Sequence, residues 1–110
     1  MRTTHKIING DSRQMNLIIR LIGVKEKKNS NGSAKQFLYD KTKGQKVFLK
    51  FDHQKYDEKN NLMCYLYLKN KTFLNAHLIK EGLADPDLSM NYKYKEKFLN
   101  LKSEWQKNGF

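Results

Sequence analysis

Met15-Asn16-Leu17-Ile18-Ile19-Arg20-Leu21-Ile22-Gly23-Val24 is a continuous β-rich apolar run interrupted only by Asn16 and Arg20. It reads as a strand, and the chain on either side of it takes its sense from that reading. Upstream, Lys6-Ile7-Ile8 ends at Asn9-Gly10, a dipeptide that accepts the positive φ of a tight turn, so a hairpin leads into the run. Downstream, Lys25 to Ser33 is rich in Lys, Asn, Ser and Gly and reads as a surface loop. Ser33 to Lys43 has the pattern of a helix, with Ser33 as N-cap, Phe37, Leu38 and Thr42 toward the core, and Gly44 at the stop. Val47-Phe48-Leu49-Lys50-Phe51 alternates, which places Val47, Leu49 and Phe51 on one face of a half-buried strand. A second polar loop, His53 to Asn61, leads to the strand Leu62 to Leu68, where Met63, Tyr65 and Tyr67 share a face. Phe73 to Glu81 reads as a helix closed by Gly82, and Asp85-Pro86-Asp87 as a break. A last helix, from about Tyr92 to Lys107, presents Tyr94, Phe98, Leu101 and Trp105 as a stripe for the core. Short strands meandering around helices predict an α+β fold, and closure into a small barrel removes the exposed sheet edges.

The chain's 110 residues amount to a single domain, 1–110, with no repeat and no linker to divide it. No apolar run approaches the roughly 18–20 residues of a membrane-spanning helix, and Met1-Arg2-Thr3-Thr4-His5 has no apolar stretch after its basic residue, so a cytoplasmic protein without a secretory signal is expected. A lone cysteine, Cys64, excludes an intramolecular disulfide and starts no thiolate metal site; within its apolar strand it reads as a buried, inert thiol. Lys and Arg number 22 against 11 Asp and Glu, a net charge of +11, the electrostatic footprint of a polyanion partner. A Lys- and Asn-rich coding bias accounts for Lys over Arg but not for the shortage of acids. A solvated basic face or an acidic protein surface are the rival readings.

At several points in order the chain resembles staphylococcal-nuclease-like domains. Ile8-Asn9-Gly10-Asp11-Ser12 resembles their Asp-Gly-Asp-Thr turn, and Arg20-Leu21-Ile22-Gly23-Val24 their Arg-Leu-Ile-Gly-Ile strand. Asp57 with Leu62 to Leu68 resembles the Asp-x-x-x-Arg-x-Leu-Ala-Tyr-Val-Tyr segment, and Leu74-Asn75-Ala76-His77-Leu78 with Glu81-Gly82-Leu83-Ala84 resembles the following helix and its Gly-Leu-Ala ending. The likeness runs from Ile8 to Glu104. It implies a five-stranded oligonucleotide/oligosaccharide-binding (OB) barrel with about three helices, in a family whose nucleases cleave DNA or RNA with calcium. That chemistry needs carboxylates for a hard cation, a glutamate to activate water and two arginines for phosphoryl charge.

Carried over by position, the resemblance gives Asp11 as one metal carboxylate and Arg20 as the first phosphate-binding arginine. The family's Asp-Thr-Pro-Glu, which supplies the second metal ligand and the general base, reads here Lys25-Glu26-Lys27-Lys28. The second arginine is Asn61, which has no charged planar fork. Lys25 beside Asp11 is expected to pair with it and repel calcium. Single losses of such groups cost on the order of 10²-fold or more in rate. Glu26 is the one rescue candidate for the base; its plainer reading is a surface carboxylate among lysines.

The same replacements suit binding. The expected nucleic-acid contacts are Arg20, Lys25, Lys27, Lys28, Lys59 and Asn61, through phosphate neutralisation. Tyr65 and Tyr67 are candidates for stacking bases, with core or half-buried sheet residues as the plainer reading. The family's nucleotide-pocket tyrosines appear as Lys59, Leu88 and, by a looser match, Met90, which argues against a mononucleotide pocket. His5, His53 and His77 lack metal-ligand spacing, and Asn75 reads as a buried amide tying helix to barrel. The leading expectation is a monomeric, non-catalytic nucleic-acid-binding module without cofactor. Leu68 to Ala84 also resembles nuclease-like domains appended to bacterial DNA methyltransferases, so a fragment tethered to such an enzyme is expected on that branch. The alternatives are a weak calcium-dependent nuclease using Asp11, Arg20 and Glu26, and a protein-interaction module.

Overall fold

The computed structural model describes residues 1–8, 14–27 and 31–107, with backbone alone for 2–8, 14–17 and 105–107. The opening apolar run divides at a corner. Its first part lies in β2 (Gln14–Leu21), which pairs antiparallel with β1 (Arg2–Ile8) in the register Arg2↔Arg20 to Ile8↔Gln14, the expected hairpin. The turn itself, residues 9–13, lies outside the described residues. Beyond the corner, β3 (Val24–Glu26) belongs to a different ladder, antiparallel to β6 (Ala84–Pro86).

Helix α1 (Ser33–Thr42) follows, then β4 (Val47–Lys50) and β5 (Leu62–Leu68), α2 (Leu74–Lys80), β6 and α3 (Lys95–Lys107). The larger sheet has the order β1-β2-β5-β4, with β5 parallel to β2 and antiparallel to β4. The architecture is α+β, with three helices as expected. Ile19, Leu21, Ile22 and Val24 are each no more than 1% exposed and form the buried side of the run, whereas Ile18, on the opposite face of β2, is 51% exposed. Met63 to Leu66 are buried likewise at the centre of the larger sheet. Phe98 of α3 is wholly buried, with Tyr94 and Leu101 packed at the rim, as the stripe implied for these three; the Trp105 side chain lies outside the described residues.

Asn75 is the polar pin of this core. Its Oδ1 accepts the Leu66 N–H at 2.8 Å, and its Nδ2 donates to Ile22 O at 2.9 Å and Cys64 O at 3.3 Å. One side chain thus joins α2 to β5 and to the β2–β3 corner. Burial pushes the Cys64 thiol up to about 12, consistent with an inert cysteine.

Some local expectations shift. The N-cap of α1 is Gly32, with φ 77°, and Ser33 is the first helical residue. A left-handed entry suits glycine, and no side-chain cap is made. Phe51 lies past the end of β4 and is 44% exposed, so the inward face of that strand is Val47 and Leu49. Asp85-Pro86 does not break the chain but forms β6, a short strand whose proline stands at its end. The last helix begins at Lys95 rather than Tyr92, because the preceding backbone is held otherwise: the Tyr92 hydroxyl donates to Asp87 O and the Lys93 N–H to Asp52 Oδ2, each at 2.9 Å. Among the described residues, no helix is long and apolar enough to cross a membrane.

Candidate functional site

The site is built on Gly23. Its φ of +77° turns the chain from β2 into β3, and a Cβ here would stand 2.5 Å from Tyr92 Cε2 and 2.8 Å from Phe98 Cε2. Only glycine fits a left-handed corner resting on two rings. The turn sets Arg20, near the end of β2, beside Lys25 and Glu26 of β3. Strand β6 pairs with β3, Lys25 opposite Asp85, and the Asp87 N–H donates to Gly23 O at 2.9 Å, which brings the Asp87 carboxyl to the same place. The result is a cleft of about 510 Å³ whose lining includes Arg20, Lys25, Glu26, Lys35, Asp87 and Ser89.

Arg20 is surrounded by acids. Its Nη1 lies 3.5 Å from Asp57 Oδ2 and 3.4 Å from Glu58 Oε2, and its Nη2 lies 3.7 Å from Asp87 Oδ2. Burial alone would raise the Asp87 carboxyl. The hydroxyl and N–H of Ser89, which donate to Oδ1 at 2.6 and 2.9 Å, and the Arg20 guanidinium hold it below the ordinary carboxylate value instead. Glu26 faces the Lys35 ammonium at 3.8 Å. Lys25 projects exposed from β3, and Lys27 follows the strand half-buried. Asp11 and Lys28 lie outside the described residues, and so does the expected pairing of Lys25 with Asp11.

The remaining two expected contacts sit on the loop after β4. Asp57 Oδ1 accepts the N–H groups of Lys59 and Asn61 at 2.9 and 2.8 Å, and its Oδ2 lies 3.4 Å from Asn61 Nδ2. Asp57 therefore shapes the loop and faces Arg20 at once, linking Asn61 to the cleft through a shared carboxylate. Lys59 is exposed, while Asn61 also lines a second cleft of about 440 Å³.

Of the stacking candidates, Tyr65 belongs to the core and Tyr67 is half-buried against it. Tyr65 is 2% exposed and meets Tyr94 edge-on at 4.9 Å, and Tyr67 stacks on Phe73 at 4.6 Å. Burial, then the adjacent Asp52 carboxylate, drive the Tyr65 hydroxyl upward. That hydroxyl donates to Asp52 Oδ2 at 2.5 Å. Leu88 is 57% exposed and Met90 packs at the edge of the core, so neither offers an aromatic wall.

Sequence reasoning missed Asp87, Glu58, Ser89 and Lys35. Nothing in linear spacing connects residue 87 with residue 20; the β3–β6 pairing does, and Asp85-Pro86 disguised it as a break. Among the described residues, no three His, Cys, Asp or Glu side chains are grouped to hold a metal ion. No curated protein matches the chain. A family model described as staphylococcal nuclease homologue matches residues 18–110, a span that takes in the Gly23 corner, both cleft strands and all the helices.

Proposed function

Since the chain belongs to the staphylococcal nuclease homologue family, whose domain is an OB fold, we propose that it binds nucleic acid through the phosphate backbone without hydrolysing it. The observation that carries this reading is the state of the charges in the first cleft. Lys25 puts an exposed ammonium there, while the described carboxylates are already engaged, Asp87 by Ser89 and Arg20 and Glu26 by Lys35. The calcium that nuclease relatives use needs several convergent oxygen donors. These donors do not fit it: two carboxylates each face a cation, and the lining carries Lys25 at the position where the family has a metal carboxylate. A net charge of +11 supplies the attraction for a polyanion.

The nuclease alternative gains one group that the sequence did not offer, Asp87 beside Arg20. Its hydrogen bonds from Ser89 and its depressed pKa make it a poor base, which favours the binding reading. An accessory role beside a DNA-modifying enzyme rests on the likeness of Leu68 to Ala84 to domains carried by methyltransferases. Methyltransferase motifs in the same genomic reading frame support it, and a frame encoding these residues alone removes it.

Fluorescence anisotropy with labelled DNA and RNA, titrated with potassium chloride, tests the binding. If about three phosphates are neutralised, affinity falls on the order of 50-fold between roughly 50 and 200 mM salt. Lys25→Ala lowers both the affinity and the steepness of that fall. Failure of every nucleic acid to bind at low ionic strength sinks the proposal in favour of a protein-interaction module.

A further inference from the structure

The second cleft has a different character from the first. Ile18, Phe51 and Tyr56 line it while standing 51%, 44% and 48% exposed. Asn60 and Asn61 supply amides at its edge, and Lys55 places its ammonium 5.0 Å from the Phe51 ring centroid and 5.9 Å from that of Tyr56. Among the described residues, none that lines it is acidic. Large apolar side chains left this open around one cleft form the kind of patch that marks a binding surface.

The backbone beneath the cleft is fixed. The Met63 N–H donates to Lys55 O at 2.8 Å, Tyr56 bridges Leu62, and the Asp57 carboxylate closes the loop that carries Asn60, whose φ is +63°. Rings on a fixed backbone lose little conformational freedom when a ligand settles on them.

From this juxtaposition we propose that the Phe51–Tyr56 cleft is a stacking platform for unpaired bases, so that the domain engages single-stranded polynucleotide there. The proposal rests on the nucleic-acid reading above and deepens it. The ligand complementary to two exposed rings and an ammonium, in a cleft whose described lining carries no carboxylate while the nearby Asp57 is buried and engaged by the loop's N–H groups, is a planar π group carrying negative charge. A base and its phosphate satisfy both requirements, and in a duplex the base faces are already occupied by neighbours. Asn60 and Asn61 add donors and acceptors for base edges. A second copy of a chain carrying +11 is disfavoured by like charge, whereas a polyanion is attracted.

Anisotropy with a labelled oligothymidylate of about 12 nucleotides and a labelled duplex of equal length tests the inference on the whole chain. Phe51→Ala and Tyr56→Ala are each expected to weaken single-strand binding by about 5- to 150-fold, the range for loss of one base–aromatic stack, and to leave duplex binding nearly unchanged. Tyr56→Phe keeps the ring and is expected to bind within about twofold of the parent, since the stacking face is retained. Both rings are solvent-exposed, and circular dichroism confirms that each variant folds. Equal single-strand binding by parent and Ala variants, or binding of duplex alone, overturns the platform while leaving the broader reading intact. Absence of all binding overturns both. A dimer seen by sedimentation and abolished by Phe51→Ala would assign the cleft to a second copy and overturn the proposal.

Discussion

Replacing Asn75 with Ala removes a side chain that is 0% exposed and makes hydrogen bonds to three backbone groups. Cys64 O keeps a partner after the change, because the Ile22 N–H also donates to it at 2.9 Å. The Leu66 N–H and the Ile22 carbonyl lose the partner that Asn75 gives them. Leaving a buried group unsatisfied costs about 1–3 kcal/mol, so two such groups cost about 2–6 kcal/mol, before any contribution from the cavity. Domains of this size hold about 5–15 kcal/mol in all, so Asn75→Ala removes a large share. Equilibrium urea unfolding followed by circular dichroism measures it, and the midpoint is expected to fall by more than about 1 M. Asn70→Ala is the control. Its carbonyl also accepts two hydrogen bonds, from the Thr72 N–H and hydroxyl at 3.0 and 2.6 Å, but on the exposed surface, where water replaces it. That change is expected to cost less than about 1 kcal/mol. Equal, small losses for the two variants would refute the role assigned to Asn75.

Gly23→Ala is expected to cost about 2–5 kcal/mol, combining the left-handed backbone penalty with overpacking against Tyr92 and Phe98, and thermal unfolding reads the loss. Burial works to raise the Asp52 carboxyl, yet the N–H of Lys93, the Tyr65 hydroxyl and the His53 N–H all donate to it and bring it below its ordinary value. A carboxyl lowered in the folded state contributes stability present above its unfolded pKa and lost as pH falls through the folded one. Stability is therefore expected to drop as pH falls from about 5 toward 2, and Asp52→Asn to flatten part of that slope in unfolding titrations.

Much of this fold was legible because its signals are local. The apolar run from Met15 to Val24 announced a strand with a buried side, Gly44 and Gly82 marked the ends of α1 and α2, and Asn75 stood out as an amide among core residues. The failures came where long-range pairing overrides local rules. Asp85-Pro86 looks like punctuation until β3 pairs with it. Phe51 continues an alternating pattern that the chain abandons after Lys50. The replacements Lys25 and Asn61 were readable against the family pattern, but the ring of carboxylates about Arg20 was not, since residues 20, 57, 58 and 87 meet only through tertiary structure. Tyr65 and Tyr67 show the converse. Their alternation in a strand said which face they share, and only Phe73 and Tyr94 packing against that face decided that Tyr65 is interior and Tyr67 half-buried.

The proposed binding role requires that the cleft between Arg20 and Lys25 not work a divalent ion against a phosphodiester. Incubating plasmid DNA and single-stranded RNA with the protein and excess calcium measures it most directly, with chelated and Asp11→Ala samples alongside. No cleavage above the protein-free blank is predicted in any lane. Strand scission that requires calcium and disappears on both chelation and Asp11→Ala would contradict the account.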